Sequence, residues 1–286
     1  MQARPMVKLP ENPTNNNNLI TLQRRRKEKV VVVIGATGTG KSRLSIDIAT
    51  HFGGEVINSD KIQVYKGLDI IANKITDSEC RGVPHHLLSF VDPDEDFTAE
   101  DYVRHASLAA ESVARRGLLP VVAGGSISFV KALVANHMDI YEFCFLWVDV
   151  SMHVLNSVLS KRVDVMVERG LVEEARRFYE HGGDYSRGIR RAIGVPEMDR
   201  FFRNEAAVDD GVRAELFEAA IDEIKANTYK LACNQVEKIL RLPEDLGTQL
   251  LHLDATAVFE ASGVHAAEEW QKVWEPSKRV LSDFFA

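Results

Sequence analysis

Apolar and polar positions fall along this chain in blocks that alternate between two periods. Val30–Ile34 is an unbroken aliphatic run, the pattern of a strand buried on both faces. Leu44, Ile48 and Phe52 then recur every fourth residue and mark one face of a helix, which Gly53-Gly54 ends. Glu55–Asp60 reads as a second short strand with polar residues at its C-terminal edge. Thr98-Ala-Glu-Asp101 places an acid three residues after a threonine, the signature of a helix N-terminus. The helix it opens runs through Val103, Ala106, Ala110 and Val113 to Gly117. Leu118–Ala123 and Phe143–Val150 are two more apolar runs of strand length.

Strands alternating with helices predict an α/β fold with a parallel sheet flanked by helices. Beyond Val150 the strand pattern stops. Residues 154–180 and 213–241 have helical spacing, and 184–203 carries several arginines. A smaller helical, substrate-binding part over 151–245 is therefore expected beside a core of 30–150. Residues 246–286 are expected to return to that core with a last strand and a closing helix. Ligands of parallel sheets collect at the C-terminal ends of the strands, which places Lys41, Asp60, Ser126 and Asp149 at one edge.

The first turn carries the clearest chemistry. Gly35-Ala-Thr37-Gly38-Thr39-Gly40-Lys41-Ser42 matches the phosphate-loop pattern G-x-x-x-x-G-K-[ST] at every fixed position. Its glycines let backbone N–H groups turn inward around phosphate oxygens, and the helix that follows adds its positive end. Lys41 adds a full charge, and the Ser42 hydroxyl suits a Mg²⁺ ligand. The loop does not say what is transferred. Asp60 faces it from the next strand, either to accept a proton or to hold Mg²⁺ indirectly; capping the segment after it is the ordinary alternative. Ser59, Gln63 and Tyr65 stand beside it, with Gln63 offering an amide and Tyr65 a stacking face for a purine.

Charge sharpens the picture. The net charge of the 286 residues is −7, yet residues 1–29 alone carry +5 and the remainder −12. An acidic body argues against a broad nucleic-acid-binding surface. No apolar run reaches the roughly 18 residues that span a bilayer. Cys80, Cys144 and Cys233 form no CxxC pair, so neither a zinc finger nor a disulfide framework is indicated. The basic arm of residues 1–29 contains Asn15–Asn18 and an RRRK run. Its composition fits an organelle transit peptide and equally a disordered basic arm.

Five longer blocks carry a resemblance. SDKIQVYKGLDIIANKI (Ser59–Ile75), GVPHHLLSFVDPDEDFTAEDY (Gly82–Tyr102), AGGSISFVKAL (Ala123–Leu133), RVDVMVERGLVEE (Arg162–Glu174) and RGIRRAIGVPEMDRFF (Arg187–Phe202) together resemble the isopentenyltransferases, most closely the plant adenylate branch. The resemblance implies a P-loop NTPase-like fold. It also implies that the loop Gly35, Thr37, Gly38, Thr39, Gly40, Lys41 and Ser42 holds the diphosphate of dimethylallyl diphosphate rather than of the nucleotide. The acceptor is then ATP or ADP, with AMP a further candidate. The adenine N6 attacks the allylic carbon and pyrophosphate leaves, the first step of cytokinin biosynthesis. By this resemblance Asp60 is the base, Ser126 lies near the bridging oxygen of the leaving group, and Arg162 contacts the donor diphosphate. Mg²⁺ is the expected cofactor, with Ser42 as its protein ligand.

The segment Ile221–Leu240 is helical, with Ile221, Ile224, Thr228, Leu231, Gln235 and Ile239 on one stripe. Asn227, Lys230, Asn234 and Lys238 share a neighbouring face, by spacing alone a solvated one. The family's NT…LA…Q pattern falls at Asn227-Thr228, Leu231-Ala232 and Gln235, which implies that Lys225, Asn227 and Lys230 contact the acceptor's phosphates. The chain departs from the family at Asn234, where many relatives are basic, and at a short Ala135–Glu142; both changes are expected to weaken the grip on substrate phosphates. The resemblance favours a plastid location over the cytoplasm, and a monomer is expected. A tRNA isopentenyltransferase, a small-molecule kinase and a non-catalytic nucleotide-binding module are the competing readings.

Overall fold

The computed structural model describes residues 27–286. Most of the basic arm, residues 1–26, lies outside them. In chain order the strands are β1 (Glu28–Ile34), β2 (Gly54–Asn58), β3 (His85–His86), β4 (Leu119–Gly124), β5 (Tyr141–Asp149) and β6 (Leu250–Asp254). The helices are α1 (Lys41–Phe52), α2 (Asp77–Cys80), α3 (Ala99–Arg115), α4 (Ile127–His137), α5 (Met152–Glu168), α6 (Leu171–Arg176), α7 (Asp199–Asn204), α8 (Asp210–Leu246), α9 (Thr256–Glu260) and α10 (Gly263–Phe285). A 3₁₀ turn occupies Gly188–Arg191.

All strand pairs are parallel, in the order β3-β2-β4-β1-β5-β6. The reason is visible in β1. Val30, Val32 and Ile34 enter one core, while Val31 and Val33 enter the other. Both faces must be covered, and helices on both sides do so. The strand starts at Glu28, two residues before the aliphatic run, because Glu28 pairs with Tyr141 of β5.

β1 lies between β4 and β5, and the chain leaves it for β2 on one side and α5 follows β5 on the other. That reversal opens a crevice at the C-terminal strand ends. Helix starts behave as their sequences say. Thr98 Oγ1 accepts the Asp101 N–H, and Asp101 Oδ2 accepts the Thr98 N–H, a reciprocal cap. Gly53 ends α1 in the left-handed conformation at φ 71°. The residues 154–180, read as one helical stretch, divide at Gly170, whose φ of 106° separates α5 from α6. No helix among the described residues is long and apolar enough to cross a membrane.

Candidate active site

The loop from Gly35 to Ser42 leaves β1 at the crevice. Gly38 and Gly40 hold φ of 87° and 96°, values that side chains rarely tolerate. Lys41 opens α1, and its Nζ donates to the Ala36 carbonyl at 2.7 Å. Burial pulls its ammonium down to about 8, against the opposing pull of Asp60 and with a smaller push from Arg162. From α5, Arg162 reaches across so that Nη2 donates to Thr37 Oγ1 at 3.0 Å. Burial lowers it to about 10 and the Asp60 charge works against that, so it stays charged at neutral pH. Its Nε is buried without a hydrogen-bond partner. Among the described residues neither Lys41 nor Arg162 has a carboxylate in salt-bridge range. Two cations and a buried orphan donor around a glycine-rich loop form an anion site.

That loop lines a cleft of about 500 Å³, together with Ser42, Gln63, Lys161 and Arg162. A second chamber of about 400 Å³ adjoins it, walled by Ile71, Met166, Leu171, Ile193, Ile224 and Leu231. Thr37, Asp60, Ala72, Asn73, Arg162 and Gln235 line both. Two chambers thus meet at Asp60: a charged one around the loop, and an apolar-walled one that also takes in Lys61, Ser126 and Arg191.

Asp60 performs the capping role as well as facing the junction. Its Oδ1 accepts from the N–H of Ile62 at 2.9 Å and of Gln63 at 3.3 Å. The carboxylate is therefore fixed in orientation by backbone. Ser126 sits at the N-terminus of α4, yet its hydroxyl does not cap that helix. It accepts the Lys61 N–H at 2.9 Å, and its own N–H donates to the Ser59 carbonyl at 3.1 Å. Ser126 lines the apolar chamber. Ser59 is buried beneath that contact and lines neither chamber. Gln63 lines the charged chamber and its amide donates to the carbonyls of Ala72 and Asn73. Gly35 and Thr39 lie in the loop without lining either chamber; Thr39 Oγ1 donates to the Ala36 carbonyl at 3.0 Å and shapes the turn.

Several expectations are corrected. Tyr65 offers no stacking face, because it is fully buried in the core and its hydroxyl accepts from Arg191 at 3.1 Å. Asp149 does end β5 at the expected edge, but it faces His252 at 3.0 Å and lines neither chamber. On α8 the stripe that spacing marks as mainly core, Ile224, Thr228, Leu231 and Gln235, is the one lining the apolar chamber. The three residues expected to contact the acceptor's phosphates point elsewhere. Lys225 pairs with Asp164 at 2.6 Å, Asn227 donates to Glu197 at 2.8 Å, and Lys230 is exposed and lines neither chamber.

The cations at the apolar chamber are others. Lys61 and Arg191 line it, and Lys238 is close enough, with Arg191, to lower the Lys61 pKa, after burial. Lys61 and Arg191 carry no periodic signal; adjacency to Asp60 and to Gly194-Val195-Pro196 were the available cues. The two departures also lie apart from the site. Asn234 is exposed and lines neither chamber. Ala135–Glu142 spans the end of α4 and the start of β5, where Tyr141 pairs with Glu28. That is the N-terminal edge of the sheet, opposite the loop.

The site's residue types fit Mg²⁺ as a hard cation with oxygen ligands. Ser42 lines the charged chamber beside the loop, where its hydroxyl would be the protein ligand of such an ion. No cluster of three or more His, Cys, Asp or Glu exists among the described residues that would hold a metal by protein alone.

Comparison with known proteins agrees with this architecture. The model of the IPP transferase family matches residues 63–140 and 135–239. Adenylate isopentenyltransferase 3, chloroplastic, of Arabidopsis thaliana is 52% identical over 259 residues, covering 88% of this chain and 77% of that one. Adenylate isopentenyltransferase 7, mitochondrial, of the same plant is 50% identical over 263 residues, covering 88% and 79%. Adenylate isopentenyltransferase of Humulus lupulus is 46% identical, covering 88% of each. Among solved structures, a eukaryotic dimethylallyltransferase acting on tRNA superposes with a TM-score of 0.76 at 26% identity, over 91% of this chain and 79% of that one. The tRNA isopentenylpyrophosphate transferase of Bacillus halodurans gives 0.70 at 26% identity, over 88% and 99%.

Proposed function

The chain belongs to the IPP transferase family, and from that premise we propose that it is an adenylate isopentenyltransferase. It transfers the dimethylallyl group of dimethylallyl diphosphate to N6 of the adenine of ATP or ADP and releases pyrophosphate. The observation that carries this reading is the phosphate loop with Lys41 and Arg162 in one chamber, joined at Asp60 to a second chamber that combines an aliphatic wall with Lys61 and Arg191. The aliphatic wall of the second chamber suits an adenine ring, and Lys61 and Arg191 beside it suit the phosphates that the ring carries.

The chemistry follows from the residues. Breaking the allylic C–O bond leaves positive charge on carbon and negative charge on diphosphate. Lys41, Arg162 and the loop N–H groups stabilise the leaving charge in a site of low dielectric. Ser42 would hold Mg²⁺, which would supply further charge neutralisation to the leaving group when bound. The exocyclic amine is a weak nucleophile because its lone pair is delocalised into the ring. Asp60, oriented by the two N–H bonds on Oδ1, accepts the N6 proton as the C–N bond forms. Ser126 lines the second chamber beside Asp60, where its hydroxyl can donate to an acceptor or leaving-group oxygen. Lys61, Arg191 and Lys238 suit the acceptor's phosphates, in place of Lys225, Asn227 and Lys230.

The tRNA-acting structural neighbours favour a second reading with the same chemistry on a polynucleotide. Identity to the adenylate enzymes is about twice as high, and the acidic body repels a polyanion. The relatives named chloroplastic and mitochondrial support an organelle location, and a plastid is the proposed one. A monomer is the proposed state. Prenylation of ATP or ADP in preference to tRNA, read by mass spectrometry, tests the function; transfer to tRNA alone would replace it.

A further inference from the structure

Gln235 is the one residue of α8 whose side chain reaches both catalytic loops. Its Oε1 accepts the Thr37 N–H at 2.7 Å, and its Nε2 donates to the Gly125 carbonyl at 3.0 Å. The partners lie 198 and 110 residues away in the chain. The side chain is buried, so both ends of the amide are used inside the protein. Gly125 makes room for it: a Cβ there would stand 2.4 Å from Nε2.

Each partner adjoins the chemistry. Thr37 belongs to the phosphate loop, and its hydroxyl also takes the Arg162 guanidinium. Gly125 precedes Ser126, which is tied to Ser59 and Lys61 on either side of Asp60. The amide is therefore a strut between the donor loop and the Asp60–Ser126 edge. Leu231, Thr228 and Ile224 lie one, two and three turns earlier on the same stripe of α8 and wall the apolar chamber.

We infer that Gln235 is a positioning residue that sets the separation of the donor loop from the Asp60–Ser126 edge. It acts through Thr37 and Gly125 rather than on the reacting atoms. The identity of the two substrates rests on the proposed function; the strut itself does not. Because Thr37 spends its N–H on Gln235, the loop receives the diphosphate with its other N–H groups already aimed. Loss of the amide frees Thr37 N–H and lets the loop relax away from that shape.

The test is a double-mutant cycle of Gln235→Met, Gly125→Ala and the pair. Two readouts are taken: affinity for inorganic pyrophosphate by calorimetry, and kcat and KM for donor and ATP. Gln235→Met should weaken pyrophosphate about 10-fold and lower kcat by a similar factor, the scale of one or two lost buried hydrogen bonds. The ATP KM should move less than about 3-fold, since the chamber walls remain. Gly125→Ala, which keeps the amide but displaces it, should reproduce these effects. The double variant should be no worse than the worse single, as expected for two changes to one contact. Additive losses, unchanged pyrophosphate affinity, or an effect confined to the ATP KM would overturn the inference. Should Gln235→Met fail to fold by thermal denaturation, Gly125→Ala alone decides it through pyrophosphate affinity. A wild type that binds pyrophosphate but prenylates no nucleotide overturns the proposed function, and the pyrophosphate cycle still decides the strut.

Discussion

Asp60→Asn separates the two jobs that the structure gives one carboxylate. Oδ1 holds the N–H groups of Ile62 and Gln63, and an asparagine oxygen accepts the same pair. Asparagine has no basicity for the N6 proton. Losing a general base slows a reaction by about 10²–10⁴-fold, or about 2.7–5.4 kcal/mol on the barrier. Stability should barely change, whereas Asp60→Ala should lose about 1 kcal/mol as well, the worth of a side-chain cap. Charge fixes the sign for the donor. Asp60 raises the pKa of both Lys41 and Arg162, so its negative charge offsets the anion site. Its neutralisation should leave dimethylallyl diphosphate binding equal or tighter. The assay is turnover at saturating ATP and donor, with donor KM and thermal midpoint measured on the same preparations. Turnover of Asp60→Asn within about 3-fold of wild type, against the general-base scale, would remove Asp60 from the role of base.

Three further outcomes are expected. Lys41 is charged below its pKa of about 8 and neutral above it, so kcat/KM for the donor should fall as pH rises through about 8. Lys41→Ala should weaken diphosphate binding and turnover together, and an effect on ATP affinity alone would move the nucleotide onto the loop. Lys238→Ala should raise the KM for ATP more than that for AMP, and equal effects on both would take Lys238 away from the outer phosphates. Glu55 is buried and held at about 2, mainly by the Arg116 hydrogen bonds against the cost of burial, with help from His86. A lowered carboxylate pKa gives stability that is present above the unfolded value and lost as pH falls through the folded one. Arg116→Ala should therefore destabilise the fold near neutral pH, because it leaves the buried Glu55 carboxylate with His86 alone. That difference should shrink between pH 4.5 and about 2; a pH-independent difference in denaturant unfolding would refute the cause.

The sequence announced what local chemistry dictates. The phosphate loop was legible because glycine, lysine and serine at fixed spacing have one physical use together. The Thr98–Asp101 cap and the doubly buried β1 were legible for the same reason. What a side chain faces across space was not. Periodicity separates the buried stripe of α8 from its neighbours, but it cannot tell a core from a chamber wall. Ile224, Leu231 and Gln235 therefore looked structural, and Lys225 and Asn227 looked available while Asp164 and Glu197 hold them. Tyr65 shows the converse: a polar aromatic beside a catalytic segment that packing draws into the core. β3 has only two residues, too few for any periodic signal. The placement of β4 between β1 and β2 depends on long-range pairing that no window of sequence contains.

The most direct measurement is one incubation of the purified protein with Mg²⁺ and dimethylallyl diphosphate, offered ATP, ADP, AMP or unmodified tRNA in parallel, with products read by mass spectrometry. The account predicts a dimethylallyl adduct on ATP or ADP with stoichiometric pyrophosphate. A folded protein that modifies tRNA alone, or none of the four, would contradict it.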